Sequence, residues 1–304
     1  MIYFGTAKTA GDKYKTAYEE ESKMSGVTIN GKQYGSIEEY MEEINPTIVE
    51  GDPKDWAYTV ESDGTITITG YLNEDRTIDT VVIPNYIDGV PVKRVKGNAG
   101  KLEKGTTLWN EKICDGTIYI GGSNKAPKNT TIKKIIISNG IETIEEGAFV
   151  ATINLEEIVL PISLLTLGDY SFRNCTSLRN VKIPSNVTKI GKHAFTGCYS
   201  LTEVIIPNSV ESIEWNAFGD CMSLKKITIP SSVTSIGGHA FGCCTSLTEI
   251  TIPSSVRIMG ENVFYSIPSI TIHVPWKEGE KPEGWADDWN RTGSNCTITV
   301  DYAK

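Results

Sequence analysis

The chain has 304 residues and a formal net charge of −9, with 39% hydrophobic and 22% charged residues. This composition suits a folded protein with a large core, and the acidic balance argues against nucleic acid or an anionic membrane surface as partner. No run approaches the roughly 18–20 apolar residues of a membrane span, and no secretory leader is visible.

The opening Met1-Ile2-Tyr3-Phe4 admits two readings, the trimmed end of an apolar segment or an ordinary start. Residues 1–52 read as an acidic helical arm. "GDKYKTAYEEESKMSG" has the pattern of a polar helix ending near Gly26. "SIEEYMEEINP" has that of a second, opened by the capping-box pair Ser36 and Glu39 and stopped by Pro46. Between them "VTINGKQYG" carries Asn30-Gly31, a hairpin turn signal. Residues 1–55 hold 6 basic and 11 acidic side chains, a net of −5, whereas residues 93–131 hold 8 basic and 3 acidic, a net of +5. The arm docks on this basic insert, or the two are solvated and independent.

From residue 132 to 275 the chain repeats. Phe149, Phe172, Phe195, Phe218, Phe241 and Phe264 are each 23 residues after the last. Cys175, Cys198, Cys221 and Cys244 keep the same step, as do Pro161, Pro184, Pro207, Pro230 and Pro253, with Pro275 one residue short. Leu155 to Ile270 and Ile144 to Met259 form further columns. Each unit alternates polar and apolar residues before its proline, as in 248–252, which is strand period. Proline then ends the strand, because it cannot donate to a ladder. The rest of the unit fits a turn and a short helical or irregular return leg. One unit cannot bury its apolar residues alone, whereas stacked units share one core. The expected fold is an α/β-type repeat solenoid with a parallel sheet on one face.

The seven cysteines raise the question of chemistry. Equivalent positions in neighbouring repeats stack about 4.7–5 Å apart and point the same way, which does not match the converging geometry of a disulfide. Buried free thiols are the expectation. Thr152 and Ile267 take the cysteine position in the flanking copies, so sulfur chemistry is not required there. His193 and His239 precede Cys198 and Cys244, but their column also holds Tyr170, Asn216 and Asn262, a tolerance that marks a surface or turn position. The two histidines lie two repeats apart, too far to share a zinc ion. Cys114, Cys243 and Cys296 stand outside the ladder. No P-loop, GxGxxG, HExxH or GxSxG motif is present.

Two outward-facing rows are expected on the sheet. One reads Lys134, Glu157, Asn180, Glu203, Lys226, Glu249, an alternation of charge that stabilises adjacent strands by about 0.2–1 kcal/mol per pair. The other reads Ile136, Val159, Lys182, Ile205, Thr228, Thr251, and its apolar members mark a binding patch or lie under the insert. Trp215 stands in a column of Glu146, Asp169, Lys192, Gly238 and Glu261, so part of its ring is expected at the surface. Trp276, Trp285 and Trp289 are expected to close the open end of the core.

"IPSSVTSIGGHAFGCCTSLTEI" (229–250) and its copies closely resemble the BspA-like leucine-rich repeats of bacterial surface proteins. Looser similarities extend the match: residues 56–71 look like the hairpin that precedes such arrays, 81–95 like a first repeat, and 274–290 like a closing segment. The organisation is therefore arm (1–52), hairpin with irregular repeat and basic insert (53–131), array (132–275) and cap (276–304). The resemblance implies a bacterial cell-surface or secreted protein, with any signal or anchor upstream of this sequence, that adheres to host or microbial proteins. The reading is non-enzymatic: a protein partner, with no cofactor, metal, nucleic acid, membrane insertion or small-molecule substrate. The residues expected to carry recognition are Ile136, Val159, Lys182, Ile205 and Thr228, with Glu157, Glu203, Lys226 and Glu249 tuning charge and Trp215 as an outlying contact. Two alternatives are a structural spacer or assembly module on an N-terminal anchor, and carbohydrate binding through the C-terminal tryptophans.

Overall fold

The computed structural model describes residues 27–29, 32–34, 50–71, 78–96, 132–291 and 296–303. β1 (Val27–Ile29) and β2 (Lys32–Tyr34) pair antiparallel on either side of Asn30-Gly31, as that turn signal requires. The expected helices of the arm and its docking on the insert lie outside the described residues.

β3 (Glu50–Gly51) is followed by the expected hairpin of β4 (Trp56–Val60) and β5 (Ile66–Tyr71). β6 (Thr80–Ile83), β7 (Tyr86–Ile87) and β8 (Val90–Val95) make the first repeat, and β3 lies parallel to β7. The array then alternates between two faces. The strand before each proline lies on the first: β9 (Lys134–Ile137), β11 (Glu157–Val159), β13 (Asn180–Lys182), β15 (Glu203–Ile205) and β17 (Lys226–Ile227) form one sheet with β6, and β19 (Glu249–Thr251) begins a separate three-stranded sheet. Two-residue strands build the second: β10 (Thr143–Ile144), β12 (Thr166–Leu167), β14 (Lys189–Ile190), β16 (Ser212–Ile213), β18 (Ser235–Ile236) and β20 (Ile258–Met259). β21 (Ser269–His273) and β22 (Thr297–Asp301) extend the run from β19.

From β9 to β20 the pairings within the array are parallel and step by 23 residues, as in Glu157↔Lys134 and Thr143↔Thr166. The step is 54 where β6 meets β9, with Thr80 opposite Lys134, which places the insert between repeats. Alternation predicts sheet on one face and the array carries it on two, because a two-residue strand is too short to leave an alternating signal. The corner between the sheets is a proline-started turn. Leu164, Val187, Val210, Val233 and Val256 each donate their N–H to the proline carbonyl three residues back, all at 3.1 Å.

The return leg is irregular rather than helical, for a physical reason. Its N–H groups donate along the solenoid axis to the next repeat: Phe149 to Ser171 O (2.8 Å), Phe172 to Ala194 O (2.8 Å), Phe195 to Ala217 O (2.8 Å) and Phe218 to Ala240 O (2.9 Å). A helix would turn those donors back on its own i−4 carbonyls. Left-handed residues make the redirection possible, one column being Gly147, Tyr170, His193, Asn216, His239 and Asn262, with φ of 53–65°. A second column, Ala151, Asn174, Gly197, Asp220, Cys243 and Ser266, does the same at φ 57–75°.

These turns aim the phenylalanines inward. Their rings stack in one column from Phe149 to Phe264 with centroids 5.2–5.9 Å apart, every ring fully buried. Trp289 meets Phe264 edge-on at 6.2 Å and closes the column, while Trp285 bridges to Met259 and donates its indole N–H to Val256 O at 3.2 Å. Removing one ring from mid-column leaves a cavity that the two neighbouring repeats cannot collapse into. Phe218→Ala is expected to lower the unfolding free energy by about 3–5 kcal/mol, read from urea denaturation. A loss below ~1 kcal/mol would contradict a tightly packed column.

Candidate interaction surface

Rigid strands and an invariant inward pattern leave the outward side chains as the variable part of each repeat. In the charged row, Lys134 and Glu157 form a 2.8 Å salt bridge, while Glu203 and Lys226 sit in register on β15 and β17. Exposed pairs of this kind contribute ~0–1 kcal/mol, so their weight lies in charge display. Glu249 is engaged from β21, where His273 Nε2 lies 2.9 Å from its Oε1.

The second row divides. Ile136 and Val159 are each only 8% exposed, which removes them as surface contacts, contrary to expectation. Val82, Ile136 and Val159 lie side by side across β6, β9 and β11, and Val82 at the start of that row is 38% exposed. Further along, Lys182, Ile205 and Thr228 all face solvent, and Ile205 is 51% exposed. The open part of the face is thus Lys182, Ile205 and Thr228 with Glu203, Lys226 and Glu249, while Glu157 is half-buried near its closed end.

Trp215 is 39% exposed and leans on the next repeat. Its ring fills the space over Gly238, where a Cβ would come within 2.5 Å of Cζ3, and its centroid is 5.1 Å from that of His239. His193 stacks on Tyr170 at 4.9 Å and meets Asn216 Nδ2 at 3.1 Å from its Nδ1. Burial, and then the Arg173 charge, lower its pKa to about 4, so at neutral pH it is an uncharged stacking group. The C-terminal tryptophans do not offer a sugar platform. Trp285 and Trp289 are buried, and Trp276 packs edge-on against Trp285 at 4.4 Å.

The thiol ladder is structural. Cys175 Sγ donates to Phe149 O at 3.1 Å, Cys198 to Phe172 O at 3.2 Å, Cys221 to Phe195 O at 3.3 Å and Cys244 to Phe218 O at 3.1 Å. Each sulfur thereby ties one repeat to the carbonyl of the one before. Burial pushes the Cys175 thiol up to about 12 and raises the other three as well. Among the described residues, no group of three or more His, Cys, Asp or Glu is arranged to hold a metal ion.

Sequence reasoning missed two features. Tyr199 and Met222, adjacent in one column, are 46% and 43% exposed, and reading that column would have found them. His273 also pairs with Asp301, Nδ1 lying 2.7 Å from Oδ2. No periodic signal marks that pair, because β21 follows β19 by 22 residues and β22 follows β21 by 28.

A family model described as BspA type leucine rich repeat region, with 6 copies, matches residues 120–241 and 166–278, together just over half of the chain. The chain belongs to the BspA type leucine-rich repeat family. Among solved structures it is similar to the leucine rich repeat protein TpLRR of T. pallidum, at 24% identity over 74% of this chain and 71% of that one, with a TM-score of 0.37. It is similar to a leucine rich cell surface protein of Faecalibacterium prausnitzii, at 23% identity over 73% of this chain and 69% of that one, with a TM-score of 0.47. It is also similar to a leucine-rich repeat protein of Bacteroides ovatus, at 20% identity over 81% of this chain and 66% of that one, with a TM-score of 0.42. No curated protein sequence matches.

In this BspA type array the cysteines should sort chiefly by burial. Under brief iodoacetamide treatment of the folded protein at pH 8, Cys175, Cys198, Cys221 and Cys244 are expected to stay unmodified. The half-exposed Cys243 and Cys296 are expected to react, with Cys243 the slower because burial and the Asp220 carboxylate raise its pKa. Peptide mass spectrometry reads the order, and early labelling within the ladder would contradict its structural role.

Proposed function

We propose that this chain is a non-enzymatic, cell-surface or secreted recognition protein that binds a protein partner through the C-terminal half of its first sheet. The observation that carries the reading is Ile205: a branched apolar side chain, 51% exposed, at the end of a paired strand with no freedom to turn inward. Lys182 and Thr228 extend its row, and Glu203, Lys226 and Glu249 frame it with both signs of charge. Burial of an exposed isoleucine offers affinity, and the mixed charges offer selection between partners. The backbone is already ordered by its neighbours, so contact costs little beyond side-chain fixing. Family membership supports a location at or beyond the cell surface, and adhesion to host or microbial proteins is the form of recognition it favours. No helix among the described residues is long and apolar enough to cross a membrane.

The test pans the purified protein against extracellular-matrix and microbial-surface proteins beside Ile205→Lys and Trp215→Ala, each checked for an unchanged melting temperature. Ile205→Lys is expected to weaken binding by tenfold or more, about 1.4 kcal/mol, with Trp215→Ala near wild type. The reverse order would move the site to the turn row around Trp215. Silence across the whole panel would favour the spacer role.

A further inference from the structure

The last strand of the solenoid is held differently from the others. The inward residues of β11, β13, β15 and β19 are at most 5% exposed apart from the outward-row Val159, whereas Ile298 and Val300 of β22 are only partly buried. Among the described residues β22 pairs with β21 alone, His273 facing Asp301 in register, and 22 residues separate His273 from Cys296 at its start. Apolar burial therefore contributes less to its docking, and polar contacts contribute relatively more.

One polar contact spans three strands. His273 Nδ1 lies 2.7 Å from Asp301 Oδ2 on β22, and Nε2 lies 2.9 Å from Glu249 Oε1 on β19. A neutral imidazole has one N–H and can donate to only one of these carboxylates, turning a lone pair towards the other. The imidazolium donates to both.

We propose that His273 is a proton-operated clasp that fastens β22 to the array in mildly acidic surroundings and loosens it as the pH rises. The charged groups facing it are Asp301 from β22 and Glu249 from β19. Hydrogen bonding to Asp301 is the largest influence; partial desolvation opposes it, and hydrogen bonding to Glu249 adds to it, so that the His273 pKa is raised above its ordinary 6.5. A raised folded pKa contributes stability that is fully present below the unfolded value and is lost as pH rises through the folded one. The clasp is thus closed below about 6.5 and opens above the raised midpoint.

The experiment uses the full chain. Imidazole NMR gives the His273 midpoint, and hydrogen exchange by mass spectrometry follows residues 297–303, with residues 189–213 as internal reference for the intrinsic pH dependence of exchange. The expected midpoint lies above that of a histidine in an unstructured peptide, and D301N and E249Q each lower it. Relative protection of β22 falls several-fold as the pH crosses the midpoint in wild type, and loses that dependence in H273Q. Should D301N fray the strand, E249Q still tests the geometry, because Glu249 sits on β19. A midpoint at or below the peptide value, or the same pH response in H273Q as in wild type, overturns the proposal.

Discussion

The structure depends on where the return-leg N–H groups point. They run along the solenoid axis, from Phe149 to Ser171 O, from Phe172 to Ala194 O and on to Phe241 and Val263 O. That choice forbids a helix on this side and demands left-handed residues twice per repeat. It also puts each phenylalanine over the next, since the hydrogen-bonded residue is the one carrying the ring. The thiol ladder follows from the same geometry. Each phenylalanine carbonyl from Phe149 to Phe218 takes the N–H of the residue three on and the sulfur of the next repeat. Cysteine fits because it is small, apolar and able to donate weakly.

Much of this was legible in the sequence because it is periodic. The 23-residue columns of Phe, Cys, Pro and Leu mark the core, and the polar column of Tyr170, His193, Asn216, His239 and Asn262 marks a turn, now seen as a left-handed one. What periodicity does not record is what a side chain meets. Ile136 and Val159 share a column with Ile205 yet are shielded where Ile205 is open. The column names the face, while the burial of each member depends on its neighbours across the strands. Asp301 was invisible for the opposite reason: it reaches His273 only after the 23-residue rule has lapsed.

The same division governs function. Inward columns cannot vary without breaking a stack that runs the length of the array. Outward positions vary freely, and in this chain they change character midway, from buried apolar residues at β9 and β11 to an open mixture at β13, β15 and β17. A single fold thereby presents one closed and one open half of a face, with no change in backbone between them. Specificity on such a surface comes from a few side chains at fixed spacing rather than from shape.

Solenoid energetics also limit what the end can do. Each repeat is stabilised chiefly by its two neighbours, so a change at one end is felt about one repeat inward. The phenylalanine column and second sheet are closed by Trp285 and Trp289. β22 is the outer strand of the β19–β21–β22 sheet and is joined to that closure through Trp276, whose carbonyl accepts the Ala303 N–H at 3.0 Å and whose ring packs on Trp285. Loosening of β22 is therefore felt at the tryptophans that end the aromatic column, while the array behind them keeps its register.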